Sequence, residues 1–284
     1  MDLVSLALVL TVLLLSGQNV VKKEYQQRSN SGICFFSAMV SFFAMLVFAI
    51  INRNWSFDVR LLLPAFGFGV SYALGTVGFM AAVRYGSLAT SSLVVSYSLL
   101  IPTAYGLLFL REPIGGTLIV GLVLIALSLW LSNGRGAGGR VTWKWVGFIF
   151  LSFLGNGICS AVQKSATLSF GEDCMDLIMV IALGIATVLM LLSSLLMRER
   201  EIVSVTLKKG WYLALLCGLM NGVTNVCVIF LDGRMDASVM FPMMSAGKLL
   251  IVFLYARLLL REKLSKKQYV GFFAGVLSIV VLSL

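Results

Sequence analysis

The sequence predicts an all-α integral membrane protein with ten transmembrane helices, arranged as two five-helix repeats of inverted topology. Three observations carry this expectation. Sixty per cent of the 284 residues are hydrophobic and 12% are charged, against roughly 25% charged in a soluble domain, so the chain cannot cover a water-facing surface. Apolar runs near the length of about 20 residues that spans a bilayer recur to the last residue, whereas a signal peptide is a single short run at the start. Finally, the chain matches itself under one constant shift that carries Leu110 onto Leu260.

Charged or Gly/Asn-rich breaks separate the runs, and each run is a candidate helix. The first, 3–21, ends in the polar patch SGQN (16–19), which contains Asn19, and Lys22 and Lys23 follow it. The second covers 32–51, and the third, 59–83, carries Ser71 beside Tyr72. The fourth, 87–110, is unusually polar, with Thr90, Ser91, Ser92, Ser96, Tyr97, Ser98, Thr103 and Tyr105. Pro102 removes a backbone bond there, which can open carbonyls to a cavity, although transmembrane serines also bond their own backbone. The fifth, 114–132, closes a first repeat over 1–132. A Gly-rich, positively charged linker over 133–142 follows.

The sixth run, 143–168, opens the second repeat, 143–284. It contains GNG (155–157) around Asn156, and Lys164 near its end either snorkels or faces inward. The seventh is 175–197. The eighth, 210–231, places Asn221 and Asn225 four apart on one face, as glue between helices or as ligand contacts. The ninth, 236–260, holds Pro242 and Lys248, and the tenth is 268–284. All five tryptophans (Trp55, Trp130, Trp143, Trp145, Trp211) fall at or beside these ends, where amphipathic rings favour the interface.

The shift aligns LREPIGGTLIVGLVLIALS (110–128) with LREKLSKKQYVGFFAGVLS (260–278) without a gap. It also pairs Arg84 with Arg234 and Tyr105 with Tyr255, and it carries Asn221 and Asn225 onto Ser71 and Gly75. Five spans per half is an odd number, so the second half enters the membrane from the opposite side, as in many secondary transporters. Two such halves, each ending in a short helix, an acidic turn and a Gly-containing last helix, resemble the ten-helix EamA-type branch of the drug/metabolite transporter superfamily. That resemblance implies a substrate cavity lined by helices 1, 3, 4, 6, 8 and 9, with helices 5 and 10 peripheral. The family's turn is commonly Gly-Glu, and here it is Arg111-Glu112 and Arg261-Glu262.

Orientation is in conflict. Loops after the odd-numbered helices hold fifteen Lys and Arg against four after helices 2, 4, 6 and 8, which places both termini outside the cytoplasm. The resemblance implies the reverse.

Lys248 is the residue that calls for an explanation. Its nearest charges are Asp236, twelve residues before, and Arg257, nine after, so it lies roughly 18 Å from a helix end at about 1.5 Å per residue. A lysine stem cannot snorkel that far, and its head must face a wet cavity or a partner. No Asp or Glu falls in a predicted membrane centre: Glu24, Glu172, Asp173, Asp176, Asp232 and Asp236 all lie at helix ends or in loops. Phe241, Met244, Ser245 and Tyr255 share its helix face. The first two and Tyr255 read equally well as packing, while Ser245 permits close helix approach.

No histidine, Walker-type loop or paired acid/base set is present, so an enzyme or a nucleotide-driven pump is not expected. The five cysteines are scattered without CxxC spacing, and no metal or cofactor is expected. The net charge of +10 comes from Lys and Arg placed singly between apolar runs, which argues against nucleic acid. The expected function is a secondary transporter for a small organic anion or zwitterion, with Lys248 as counter-charge. Lys248, Ser245, Asn221, Asn225, Ser98, Tyr97, Ser71, Tyr72, Asn19, Asn156, Lys164 and Tyr255 are the candidate binding residues. The alternatives are an exporter of amphipathic compounds with Lys248 in proton coupling, or a non-transporting membrane subunit that pairs Lys248 with another chain. The expected setting is the inner or plasma membrane of the cell, the expected partners are substrate and lipid, and a homodimer is left open.

Overall fold

In hydrocarbon each backbone N–H and C=O must be satisfied within its own segment, so apolar runs of this length fold as helices. The computed structural model describes residues 2–28, 32–85, 91, 94–132, 142–197, 199, 203, 206, 210–258 and 266–282. Its helices are α1 (Leu3–Arg28), α2 (Ile33–Ile51), α3 (Leu62–Tyr85), α4 (Val94–Leu108), α5 (Gly116–Ser132), α6 (Trp143–Phe170), α7 (Glu172–Leu196), α8 (Trp211–Asp232), α9 (Ala237–Leu258) and α10 (Lys266–Leu282). No strand occurs among the described residues. Among the described residues six helices are long and apolar enough to cross a membrane: α1, α2, α3, α6, α7 and α8. Their number makes this a multi-pass membrane protein. Helices α4, α5 and α10 are apolar but shorter. The expected linker lies outside the described residues up to Thr142, whose hydroxyl accepts from the Trp145 N–H and caps α6.

Two expected features need correction. First, α1 continues past residue 21 to Arg28, so Lys22 is helical rather than in a loop. The extra turns are anchored by Tyr25, which is buried, stacks on Phe36 with ring centroids 3.8 Å apart, and hydrogen-bonds Thr206 at 2.7 Å. Second, the Trp145 indole is not an interface anchor. It is buried and donates to the Ser91 hydroxyl at 2.9 Å. Trp55, Trp130, Trp143 and Trp211 are exposed.

Most of the helix partners come in matched sets. Helix α3 packs on α6 and α1 on α8; α7 packs on α3 and α2 on α8; α6 packs on α4 and α1 on α9. In addition α2 packs on α7, α4 on α9 and α5 on α10. Exchanging α1–α5 for α6–α10 therefore turns each of these pairs into another pair or into itself. The tightest seam, α3 on α6, is built on small residues: Ser152 Oγ donates to the Gly75 carbonyl at 2.8 Å, and Gly155 meets the Gly75 backbone. The outer surface displays Leu63, Phe66, Val123, Leu196 and Phe273, which suits contact with acyl chains rather than water.

The turn after α4 holds its arginine in an unfavourable backbone shape. Arg111 has φ 54°, the left-handed region where a glycine carries no penalty and an L-residue is strained by roughly 1–2 kcal/mol. Arg111→Gly is accordingly expected to stabilise the protein by about 0.5–1 kcal/mol after the larger chain entropy of glycine is subtracted. The midpoint of denaturation in mixed micelles measures this, and an unchanged or lower midpoint contradicts it.

Candidate functional site

The polar residues of α8 form a stripe. Cys217, Asn221 and Asn225 are four apart and so lie along one face, and all three are buried. Asparagine amides in a membrane need partners, and these find them on two other helices. Asn221 Nδ2 donates to Gln18 Oε1 of α1 at 3.1 Å, and Gln18 Nε2 donates to Thr224 Oγ1 at 3.0 Å. The Tyr72 hydroxyl of α3 donates to Asn221 Oδ1 at 3.3 Å. Asn225 Nδ2 closes the group by donating to the Asn221 carbonyl at 2.9 Å and to its Oδ1 at 3.2 Å. Helices α1, α3 and α8 are thus tied together in their apolar middles.

Lys22 extends this group. It stands one turn after Gln18 on α1, on the same face, and acts electrostatically on both Cys217 of α8 and Lys248 of α9. Lys248 is half-buried. Next to it, Gly247 admits Val12 of α1, since a Cβ there would stand 2.9 Å from the Val12 methyls. Neither lysine forms an ion pair with a described carboxylate. The result is a polar column with amides at one level and two ammonium groups beside it.

The other expected residues divide. Ser245 is half-buried, and Phe241 and Met244 pack with Val228 and Leu231. Tyr97 packs against the cluster of Leu99, Leu118 and Met243. Ser98 lies in a 3₁₀ turn, Tyr97–Leu99, four residues before Pro102, whose missing N–H would otherwise serve the Ser98 carbonyl. Ser71 is buried, with its carbonyl against Gly155. Asn156 donates to the Ser152 carbonyl at 2.9 Å and meets Gly75, so it belongs to the α3–α6 seam. Asn19 is half-buried beside Gln18. The side chain of Tyr255 lies outside those described.

Lys164 does not snorkel. It is buried and donates to the carbonyls of Asp232 at 2.6 Å and Met235 at 2.5 Å, at the carboxyl end of α8, where a cation complements the helix dipole. The same α8–α9 turn is held from its other side by Glu112, whose carboxylate accepts from the Ala237 and Ser238 N–H groups at 2.7 and 2.8 Å. An anion there complements the amino end of α9. Gln18, Lys22, Glu112 and Asp232 stand outside the set of binding residues that the sequence suggests. Gln18 was within reach of sequence reasoning, because it sits in SGQN four residues before Lys22.

Asn221→Ala removes the central member of the amide group and leaves Gln18, Tyr72 and Asn225 each short of a partner. Side-chain bonds between membrane helices average about 0.6 kcal/mol and reach about 1.7, so a loss of about 2 kcal/mol is expected. Unfolding in mixed micelles reads it, and a change below about 0.5 kcal/mol contradicts the network.

No protein-family model matches the chain, and no curated protein resembles it significantly. Among solved structures it is similar to a crystal structure of a protein that is 14% identical, with a TM-score of 0.75, over 98% of this chain and 95% of that one. At that identity the likeness establishes a shared fold over nearly the full length.

Proposed function

We propose that the protein is a secondary transporter for a small organic anion or zwitterion, moving it by alternating access between two inverted five-helix halves. One observation carries the reading: Lys22 and Lys248 face each other's field beside buried amides, with no described carboxylate paired to either. Like charges near one another, away from bulk water, repel. An anionic group between them turns this repulsion into attraction on both sides. The amides of Asn221 and Asn225 offer both donors and acceptors to the remainder of such a ligand.

The matched helix pairs support the inverted arrangement, because an inverted repeat exchanges its halves by a two-fold rotation in the membrane plane. The fold shared with a solved structure over 98% of the chain agrees with one continuous bundle. The test is ligand-induced thermal stabilisation of the purified protein across anions, zwitterions and cations, with Lys248→Gln and Lys22→Gln beside the parent. Anions are expected to raise the melting temperature of the parent and to lose most of that effect in either variant. Stabilisation by cations alone, equal in all three proteins, contradicts the proposal.

A further inference from the structure

The α8–α9 turn holds a group that the anion site does not use. Asp232 is 1% exposed, and no described residue donates to either of its carboxylate oxygens. Charged groups also lie at the ends of the helices that pack on α8. Asp2 before α1 and Arg53 after α2 are exposed. Glu172 at the start of α7 is paired with Arg234. Glu112 is bound to amides, and Asp236 on the same turn is exposed. Lys164 is the one that acts on Asp232 electrostatically, yet its ammonium is engaged by two main-chain carbonyls rather than by the carboxylate.

A buried carboxyl group can meet its needs in two ways. It can carry a proton, or it can ionise against a cation held close by. Both are on hand here, and moving between them requires only that the Lys164 ammonium turn from the carbonyls toward the carboxylate. We propose that Asp232 is a proton-binding site, with Lys164 as the counter-charge of its ionised form. This rests on the transporter reading and adds its driving ion. On release the proton passes from the carboxyl O–H to water at that end of the bundle, and the negative charge left behind is met by Lys164. Since Lys164 reaches the turn from α6 while the turn joins α8 to α9, loading or unloading the proton changes how the second half grips its own helix ends. The site lies apart from the Lys22–Lys248 column, so one chain holds an anion site and a proton site.

The test is infrared difference spectroscopy of the purified protein through a pH titration, following the C=O stretch of a protonated carboxyl in dry surroundings. The parent is expected to show such a band, Asp232→Asn to lack it, and alkali to abolish it reversibly. In Lys164→Gln the pH of disappearance is expected to rise by about one to three units, because an adjacent cation favours the ionised form by that much. Lys164→Arg keeps the charge and should leave the midpoint near that of the parent. Superimposable spectra of parent and Asp232→Asn overturn the proposal. So does an Asp232 band that persists at every pH at which the protein stays folded. These outcomes are independent of the ligand panel: an absent band with anion stabilisation intact removes the proton site alone, and a titrating band with no anion effect removes the anion reading alone.

Discussion

Gly155→Ala is expected to destabilise the protein by about 3 kcal/mol, near the upper end for overpacking a tight interface. A Cβ at this position would stand 2.7 Å from both the Gly75 Cα and the Ser71 carbonyl oxygen. These are backbone atoms of α3, and no rotamer change removes them. Relief requires α3 and α6 to separate, which stretches the bond from Ser152 Oγ to the Gly75 carbonyl, now 2.8 Å, and loosens the amide group that Tyr72 anchors from α3. Gly147 on the same helix is the control. Nothing lies within 4 Å of its would-be Cβ, so Gly147→Ala should be neutral or stabilise by up to about 1 kcal/mol through helix propensity alone. Denaturation midpoints of both variants in one detergent check the pair. Equal effects at the two glycines would contradict the seam.

Glu112→Ala should cost about 3 kcal/mol. Two N–H···O⁻ bonds at 2.7 and 2.8 Å hold the first turn of α9, and charge-assisted bonds of this kind contribute about 1.5–3 kcal/mol each before water takes over part of the role. Glu112→Gln keeps an acceptor without the charge and should lose about half as much. Gly106 supplies an independent check, because a Cβ there would collide with the Glu112 carboxylate. Gly106→Ala is expected to reproduce much of the Glu112→Ala loss, and the double variant should be clearly less destabilised than the sum. Additive losses would mean that Gly106 and Glu112 act separately.

Helix positions were readable because each apolar run is bounded by charge or glycine. The bundle side of each helix was not. In a membrane protein, lipid-facing and partner-facing positions are both apolar, so a helix does not announce its phase. Asn221 and Asn225 revealed their shared face through spacing, yet the partner that meets Asn221, Gln18, is 203 residues away. Its neighbour Asn19 looked equally suitable and points elsewhere around α1. The end of α1 was misjudged for a related reason: Lys22-Lys23-Glu24 has loop chemistry, and the contacts that keep it helical, Tyr25 with Phe36 and Thr206, are tertiary.

Charge at helix ends misled in the same way. Asp232 sits at the last position of α8, where a carboxylate usually reaches water, and only the approach of α6 with Lys164 shows that it is enclosed. Lys248 stood out in the sequence by its isolation, and its half-buried position beside Lys22 keeps it at the centre of the account. The turn at Arg111-Glu112 was legible as a turn. Its strain at φ 54° was not, because the arginine hides the backbone shape that glycine would have signalled.

The most direct test of the central claim is counterflow in proteoliposomes. Vesicles holding the parent are loaded with the anion that gives the largest thermal stabilisation, and labelled anion is added outside at a trace level. The account predicts transient accumulation of label above the external level, and its loss in Lys248→Gln reconstituted at the same density. Equal accumulation by parent and Lys248→Gln would contradict the role given to Lys248, and no accumulation by the parent with any stabilising anion would contradict transport itself.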